Sequence, residues 1–343
     1  MNDTVFSTKK HRVVSGIRAT GRLHLGNYHG ALKNWVNLQC KYQCFFFVAD
    51  WHALTSDYEQ PQDIYENAWE MVIDWLAAGL DPAQCTLFVQ SHVPEHAELH
   101  LLLSMLTPLP WLERVPTYKD QKIKLKEKHL NTLGFLGYPT LQSADILMYK
   151  ADYVPVGEDQ VSHVELTREL VRHFNHLYTH RVSEPIFNEP KVLLTKVPKL
   201  PGLDGQKMSK SYHNTIGLRE DPKTVIQKLR TMPTDPARVR RTDPGDPAKC
   251  PVWSLHEVFS SEDTKHWVQV GCKTAGIGCI ECKQPVIDAV LQEQVPIREK
   301  AEYYSQQPAL VQSIIEKGCE AARAVAQKTI IEVRYAMGLS KPK

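Results

Sequence analysis

The sequence predicts an α/β fold, with a doubly wound parallel sheet that carries a helical insertion and is followed by a smaller all-α domain. Short apolar runs alternate with helical patterns through the first half of the chain. Such alternation is typical of a parallel sheet covered by helices. Strand-like runs largely vanish after Ser211, where helical patterns dominate.

Five short apolar runs, rich in β-branched and aromatic residues, predict the strands of this sheet. They cover residues 12–17, 44–50, 85–91, 153–157 and 191–195. The first run ends in a polar, glycine-bearing loop, "RATGRLHLGN", which places polar side chains at the end of a predicted strand.

Helical patterns separate these runs. Residues 28–40 and 61–80 show apolar residues at helical spacing, and the second helix has Pro near its start and Gly79 near its end. Residues 94–150 form a predicted helical insertion. The expected organisation is a Rossmann-type domain over 1–212 and a helical domain over 213–343.

Composition limits the class of protein. The 343 residues carry a formal charge of only +2, so global charge indicates no polyanionic partner. Two basic runs, 118–129 and 219–241, make an acidic or nucleic-acid partner plausible, although each alone is typical of a solvated helix face. The first sixteen residues lack a signal-peptide core and no apolar run approaches ~18 residues. We therefore expect a soluble, cytoplasmic protein with no membrane segment.

The loop after the first strand contains "GRLHLGN", residues 21–27. Ligands of doubly wound sheets bind at the carboxyl ends of strands, and the following helix offers free N–H groups to phosphates. His24 and Asn27 supply hydrogen-bonding groups on either side of Gly26. On its own this pattern is weak, because such a loop is also ordinary turn chemistry.

A second loop carries "KMSKS", residues 207–211, behind the glycine-containing "PGLDGQ". Two lysines on a mobile loop can offset the negative charge that grows on a departing pyrophosphate. A solvent-exposed basic loop is the alternative for this segment taken alone.

The two loops together resemble the paired signatures of class I aminoacyl-tRNA synthetases. In this chain "HLGN" stands where His-Ile-Gly-His is more usual, and Asn27 is the form seen in the tryptophan enzymes. The block "GYPTLQSADILMYKADYVPVGEDQVSHVELTREL" (137–170) resembles the tryptophanyl-tRNA synthetase family in particular. The resemblance extends from about residue 12 to the end.

The resemblance implies a tryptophan site. Asp145 matches the family's specificity carboxylate, which accepts a hydrogen bond from the indole N–H, although an ordinary surface helix position is the alternative. Tyr138 and Gln160 match the positions that bind the α-ammonium group. Gln142 stands where some relatives have methionine against the indole, which leaves that wall of the pocket open.

The resemblance also implies ATP and Mg²⁺ as reactants, with His24, Asn27, Lys207 and Lys210 as the catalytic residues. L-tryptophan would attack ATP to give tryptophanyl-adenylate and pyrophosphate, and the tryptophan would then move to the 3′ end of tRNA(Trp). The matched ATP-binding positions are Arg18, Ala19, Thr20, Gly26, Asn27, Gly157, Glu158, Asp159, Leu200, Lys207, Met208, Ser209, Lys210 and Ser211.

Four cysteines, with intervals of 21, 6 and 2 residues, fall within 250–282; they are Cys250, Cys272, Cys279 and Cys282. Four thiolates suit either tetrahedral Zn²⁺ or an iron–sulfur cluster, and spacing does not separate the two. A subset of the family carries a [4Fe–4S] cluster in the tRNA-reading domain with a similar cysteine pattern, so the resemblance favours the cluster. The remaining cysteines are predicted core residues; they are Cys40, Cys44, Cys85 and Cys319.

Three other functions fit parts of the sequence: a tyrosyl-tRNA synthetase, a small nucleotidyltransferase, and an RNA-binding iron–sulfur regulator without catalysis. The segments "GEDQ" and "ADIL" argue against the first, and the helical tail with "KMSKS" argues against the second. Intact catalytic positions argue against the third. The resemblance further implies a homodimer with 101–121 in its interface, an anticodon-binding role for 213–343, and the catalytic role for 1–212.

Overall fold

The computed structural model describes residues 10–116, 130–194 and 200–341. The predicted basic run 118–129 lies outside the described residues, as does the end of the proposed interface segment 101–121.

The described residues contain one parallel five-stranded sheet in the order β3-β2-β1-β4-β5. The strands are β1 (Arg12–Arg18), β2 (Gln43–Ala49), β3 (Cys85–Val89), β4 (Tyr153–Val156) and β5 (Lys191–Leu194). The predicted strands are confirmed. The strand order reverses between β1 and β4, so a crevice opens at the carboxyl ends of these two neighbours.

The central strand β2 explains why its sequence is continuously apolar. Helices cover both faces of a parallel sheet, so side chains on both faces are buried. Phe46 stacks on Trp35 at 4.4 Å between ring centroids, and Phe45 stacks on Tyr149 at 4.6 Å on the opposite face. Each face of the sheet is thus held by aromatic contacts to a covering helix.

Helices cover the sheet and form the remainder of the described chain. The α-helices are α1 (Leu25–Asn27), α2 (Lys33–Leu38), α3 (Asp50–Asp57), α4 (Ile64–Ala77), α5 (Glu95–Ser104), α6 (Leu109–Glu113), α7 (Leu133–Met148), α8 (Val161–Tyr178), α9 (Pro222–Thr231), α10 (Pro251–Phe259), α11 (Glu262–Lys273), α12 (Cys279–Ser305) and α13 (Pro308–Ala336). A π-helical turn covers Tyr28–Leu32, and short 3₁₀ turns cover Gln90–His92, Glu158–Gln160, Thr179–Arg181, Lys210–Tyr212 and Pro247–Lys249. The helical insertion and the helical C-terminal region are both confirmed.

The first helical segment begins earlier than the sequence indicated. The predicted start at residue 28 is wrong, because the turn begins at Leu25 directly after His24. The side-chain oxygen of Asn27 accepts a hydrogen bond from the His24 backbone N–H at 3.2 Å. This contact is half of a capping box and starts the helix within "HLGN" itself.

One of the predicted core cysteines is not in the core. Cys44, Cys85 and Cys319 are buried, but Cys40 is exposed. Its thiol lies 3.4 Å from the side-chain oxygen of Gln84, past the end of α2. The apolar pattern of α2 therefore stops before Cys40, and the prediction for that residue is wrong.

The last helix packs directly on the parallel sheet. Gly318 of α13 lies against the backbone of β3 so closely that a β-carbon there would collide with the carbonyl oxygen of Leu87. Arg323 and Arg334 of the same helix form ion pairs with Glu95 and Glu98 of α5. The C-terminal helix thus braces the edge strand and the insertion.

This close approach gives a stability prediction. Gly318→Ala should lower the free energy of unfolding by about 3 kcal/mol, because the added methyl group displaces α13 from β3. Alanine is otherwise the better helix former, so Gly134→Ala in α7, where a β-carbon has open space, should stabilise by up to about 1 kcal/mol. Thermal unfolding of the two variants checks this, and equal shifts would contradict it.

Candidate active site

A cavity of about 340 Å³ lies at the carboxyl ends of β1 and β4. It brings together predicted site residues from separate parts of the chain, namely Arg18, Tyr138, Asp145, Gly157 and Gln160. Its size is within the range of small-molecule sites in proteins. The walls combine apolar and aromatic side chains with these few polar groups.

Asp145 lies at the base of this cavity and is 1% exposed, which excludes the surface alternative. One carboxylate oxygen, Oδ2, accepts from His52 Nε2 at 2.8 Å. The other, Oδ1, accepts from Gln90 at 2.8 Å and is 2.6 Å from Nδ1 of His96. Although burial opposes ionisation, the hydrogen bonds and charges of the two histidines leave the Asp145 pKa below its usual value.

These three partners of Asp145 were missed in the sequence. His52 is in the first turns after β2, Gln90 follows β3, and His96 begins α5. All three follow the carboxyl ends of neighbouring parallel strands, which is the signal that could have found them.

Tyr138 belongs to a second network of hydrogen bonds, at the wall of the cavity. Its hydroxyl is 3.2 Å from His163 Nε2, and His163 Nδ1 is 2.5 Å from the side-chain oxygen of Gln142. Burial lowers the pKa of His163 to about 4, so the ring is neutral near pH 7. The side chain of Gln142 therefore hydrogen-bonds to His163 in the wall of the cavity. The sequence alone did not indicate what Gln142 contacts.

The segment after β4 forms the rim of the cavity. Gly157 precedes the 3₁₀ turn, and a β-carbon there would lie 2.9 Å from the exposed Asp159 carboxylate, which can move aside. Glu158 and Asp159 are exposed, while Gln160 lines the cavity and contacts Asp159 at 3.4 Å. Two exposed carboxylates at a rim suit ribose hydroxyl groups.

The two predicted signature loops meet beside this cavity. The backbone N–H of Gly26 lies 3.3 Å from the sulfur of Met208, and a β-carbon on Gly26 would lie 2.9 Å from the His24 ring. His24 is buried, and burial together with Lys210 and Lys207 lowers its pKa to about 4. The imidazole is therefore neutral and can act as a hydrogen-bond donor to phosphate.

Lys210 reaches back to the loop after β1. Its ammonium donates to the backbone oxygens of Thr20 at 3.1 Å and of Gly21 at 2.6 Å. Burial lowers the Lys210 pKa to about 8, with Arg18 adding to the effect and Asp74 opposing it. The "KMSKS" loop thus closes over the loop that follows β1.

A residue outside the motif holds the rest of the "KMSKS" loop in place by hydrogen bonds. Asn214, which sequence reasoning missed, accepts from the Ser209 N–H at 2.8 Å and donates to the Lys207 carbonyl at 3.1 Å. Met208 is buried and its N–H bonds to the Leu200 oxygen at 3.3 Å. Ala19 is buried and the Lys207 side chain is exposed, while the Ser211 side chain lies outside the described residues.

The four cysteines within 250–282 line one small cavity together with Arg238 and Lys283. Cys279 and Cys282 are in the first turn of α12, where i, i+3 spacing places them on one face. Burial and the other three thiols raise the Cys282 pKa to about 12. Among the described residues, no three His, Cys, Asp or Glu side chains are gathered closely enough to hold a metal ion.

The basic segment 219–241 is only partly available to a partner. Arg219 forms ion pairs with Glu70 and Asp74, and the buried Arg238 donates to the Ile277 oxygen. The exposed basic residues of the segment are Lys223, Arg230, Arg240 and Arg241.

Comparison with known proteins identifies relatives along nearly the whole chain. Residues 7–292 match the family of class I tRNA synthetases for tryptophan and tyrosine. Tryptophan–tRNA ligase from Ralstonia nicotianae is 56% identical over 96% of this chain and 98% of the relative. Tryptophan–tRNA ligase from Thermotoga maritima is 52% identical over 96% of this chain and 99% of the relative.

A solved structure shows the same fold. Tryptophanyl-tRNA synthetase from Campylobacter jejuni, complexed with ADP and tryptophan, superimposes with a TM-score of 0.84 at 32% identity. The match covers 95% of this chain and 99% of that chain.

Proposed function

The chain belongs to the class I family of tryptophanyl- and tyrosyl-tRNA synthetases, and we propose that it is an ATP-dependent tryptophan–tRNA ligase. The observation that carries the choice of amino acid is Asp145, a buried and ionised acceptor at the base of a largely apolar cavity. An indole ring fits apolar walls, and its single N–H needs one such acceptor. The phenol O–H of tyrosine can also donate to a carboxylate, so the choice of tryptophan over tyrosine rests as well on the tryptophan–tRNA ligases to which this chain is similar.

We propose that ATP lies above this cavity, between the two signature loops. His24, Asn27, Lys207 and Lys210 are assigned to the phosphates, and the exposed carboxylates after β4 to the ribose. The remaining assigned ATP contacts are Arg18, Ala19, Thr20, Gly26, Gly157, Leu200, Met208, Ser209 and Ser211. Tyr138 and Gln160 are assigned to the α-ammonium of tryptophan.

In the first step, a carboxylate oxygen of tryptophan attacks the α-phosphorus of ATP in line. The bond from that phosphorus to the bridging oxygen breaks, and pyrophosphate leaves with Mg²⁺. Negative charge grows on the bridging oxygen, so the lysines and the neutral His24 stabilise the transition state. In the second step, a ribose hydroxyl of the tRNA takes the tryptophanyl group and AMP leaves.

Pyrophosphate exchange into ATP tests this function. We expect exchange that depends on tryptophan and not on tyrosine, and charging of tRNA(Trp). Exchange driven by tyrosine would support the tyrosyl enzyme, and tRNA binding without exchange would support an RNA-binding regulator.

We further propose that 1–212 is the catalytic domain and that 213–343 reads the anticodon end of the tRNA. The exposed cations Lys223, Arg230, Arg240 and Arg241 support this, because backbone phosphates attract such groups. The protein would act in the cytoplasm. No helix in the part of the chain that is described combines the length and apolarity needed to cross a bilayer.

We propose a [4Fe–4S] cluster at Cys250, Cys272, Cys279 and Cys282, with structural Zn²⁺ as the alternative. All four thiols line one cavity, and the cations Arg238 and Lys283 beside them would offset thiolate charge. The thiols would have to move closer together to ligate one group, since no three of the described His, Cys, Asp or Glu side chains are gathered closely enough to hold a metal ion. When bound, such a group would tie together three separate segments of the helical domain, which carry Cys250, Cys272 and the pair Cys279 and Cys282. Anaerobic protein that is brown with about four irons per chain would fit, whereas colourless protein with stoichiometric zinc would overturn the cluster.

Removing one ligand should separate the two half-reactions. Cys282→Ser is expected to reduce tRNA charging at least tenfold, while tryptophan-dependent exchange changes less than about threefold. The reason is that the cysteines lie in the helical domain and not at the cavity that contains Asp145. Cys40→Ser, at an exposed thiol outside the cluster, is the matched control. Equal losses in exchange and charging would contradict this division.

We propose that the protein is a homodimer through the helical insertion. Four large apolar side chains of the described part of this region are strongly exposed: Leu101 by 53%, Met105 by 70%, Leu109 by 59% and Leu133 by 82%. Exposed apolar patches of this kind mark interaction surfaces. Light scattering should give a mass near twice the 39.1 kDa of the chain, and a monomer at micromolar concentration would contradict the dimer.

A further inference from the structure

We propose that His96 is a positioning residue for tryptophan, and that it acts through Asp145 by holding the carboxylate so that only Oδ2 faces the indole N–H. This inference rests on the proposed function. His96 is 0% exposed, so it is a buried link between the site and the core rather than a contact of the substrate.

The hydrogen bonds of Asp145 are distributed unequally. Oδ1 faces two donors, Gln90 Nε2 at 2.8 Å and His96 Nδ1 at 2.6 Å, whereas Oδ2 faces His52 Nε2 at 2.8 Å. A carboxylate oxygen accepts about two hydrogen bonds. Oδ1 is therefore filled by these two, and Oδ2 keeps room for the indole N–H.

The direction of the chain of hydrogen bonds follows from what each group can donate. An ionised carboxylate only accepts, so Nδ1 of His96 carries the proton that faces Asp145. In the neutral ring Nε2 is then an acceptor, and the Tyr149 hydroxyl, 2.6 Å away, donates to it. Burial and the nearby Asp145 raise the Tyr149 pKa well above its usual value, so this hydroxyl keeps its proton.

The surroundings hold the chain in this arrangement. The His96 ring packs against Phe47 and Phe88 with centroid separations of 6.0 Å, and Tyr149 stacks on Phe45 at 4.6 Å. Because aromatic side chains fill this space, neither ring can turn to another partner without repacking the core. His96 thus fixes one orientation of the carboxylate.

Two substitutions at His96 separate positioning from core filling. His96→Asn keeps an amide N–H near the place of Nδ1, which faces Asp145. His96→Gln carries its amide N–H to the place of Nε2, which faces Tyr149. A residue that only fills space would not distinguish between them in this way.

The readout is tryptophan-dependent pyrophosphate exchange, with tryptophan compared against its analogue that has sulfur in place of the indole N–H. His96→Gln is expected to raise the KM for tryptophan at least tenfold and to reduce discrimination against the analogue by a similar factor, as expected for loss of a hydrogen bond to a charged group. His96→Asn should stay within about threefold of wild type on both measures. The KM for ATP should be unchanged in both.

Tyr149→Phe is a second variant that keeps the ring and removes only the hydroxyl. It should lower discrimination against the sulfur analogue by about threefold. If thermal unfolding shows that His96→Gln is not folded, Tyr149→Phe provides the test of the proposal. Equal discrimination in His96→Asn, His96→Gln and Tyr149→Phe would overturn the role of His96 while leaving the proposed function intact. Wild-type protein without tryptophan-dependent exchange would overturn both.

Discussion

Asp145→Asn should lower kcat/KM for tryptophan by about a thousandfold or more, while the protein stays folded. Asparagine has nearly the volume of aspartate, so packing is kept. Its amide oxygen can still accept from Gln90 and His96 as Oδ1 does. Its NH₂ group then occupies the place of Oδ2 and faces the indole N–H, so two donors meet in a buried site.

The loss should be specific to the indole. Exchange kinetics with tryptophan and with its sulfur analogue measure it, and the variant should nearly lose the preference for tryptophan. Asp288→Asn, at an exposed position of α12, is the control and should be neutral. An Asp145→Asn enzyme within tenfold of wild type would remove Asp145 from recognition and weaken the choice of tryptophan.

The depth of Asp145 shows where sequence reasoning reached its limit. The pattern "SADIL" predicted a helix with a carboxylate among apolar neighbours, and α7 confirms that element. It did not predict that the carboxylate is 1% exposed, because burial comes from the packing of α3 and α5 against α7. His52, Gln90 and His96 come from these neighbouring segments, which are far away in the sequence.

The strands and the signature loops were predictable for a local reason. Each strand is a short, continuously apolar run, and each loop carries its glycines and polar residues in consecutive positions. Contacts between loops were not predictable in the same way. Asn214 bonds to both Lys207 and Ser209, yet nothing in its local sequence distinguishes it from a turn residue.

The locations of the cysteines were also predictable only where the signal was local. The spacing of Cys279 and Cys282 predicted that they act together, and the structure places them with Cys250 and Cys272 around one cavity. For Cys40, the helical pattern was extrapolated two residues past the end of α2, and the residue is exposed. The spacing of two residues within one helix therefore predicts that they lie together more reliably than a position near the end of a helix predicts burial.

Lys210→Ala should slow adenylate formation by about a hundredfold to a thousandfold while the affinity for tryptophan barely changes. The ammonium lies beside the Thr20 and Gly21 carbonyls in the loop after β1, where the phosphates of ATP are proposed to bind. Lys210 is not among the residues that line the cavity of Asp145, so ground-state binding of the indole should not use it. Single-turnover formation of tryptophanyl-adenylate measures the step directly.

The pH dependence gives a second check on Lys210. A lysine is cationic below its pKa, and the Lys210 pKa is lowered to about 8, so kcat/KM for ATP should fall as the pH rises through about 8. Lys210→Ala should lack this alkaline decline, whereas Lys41→Ala, at an exposed position past α2, should keep it. Because bound phosphates favour the cationic form, the decline in kcat should lie at higher pH than the decline in kcat/KM. A Lys210→Ala enzyme with near-normal exchange and an unchanged alkaline limb would move the phosphate-stabilising role to Lys207.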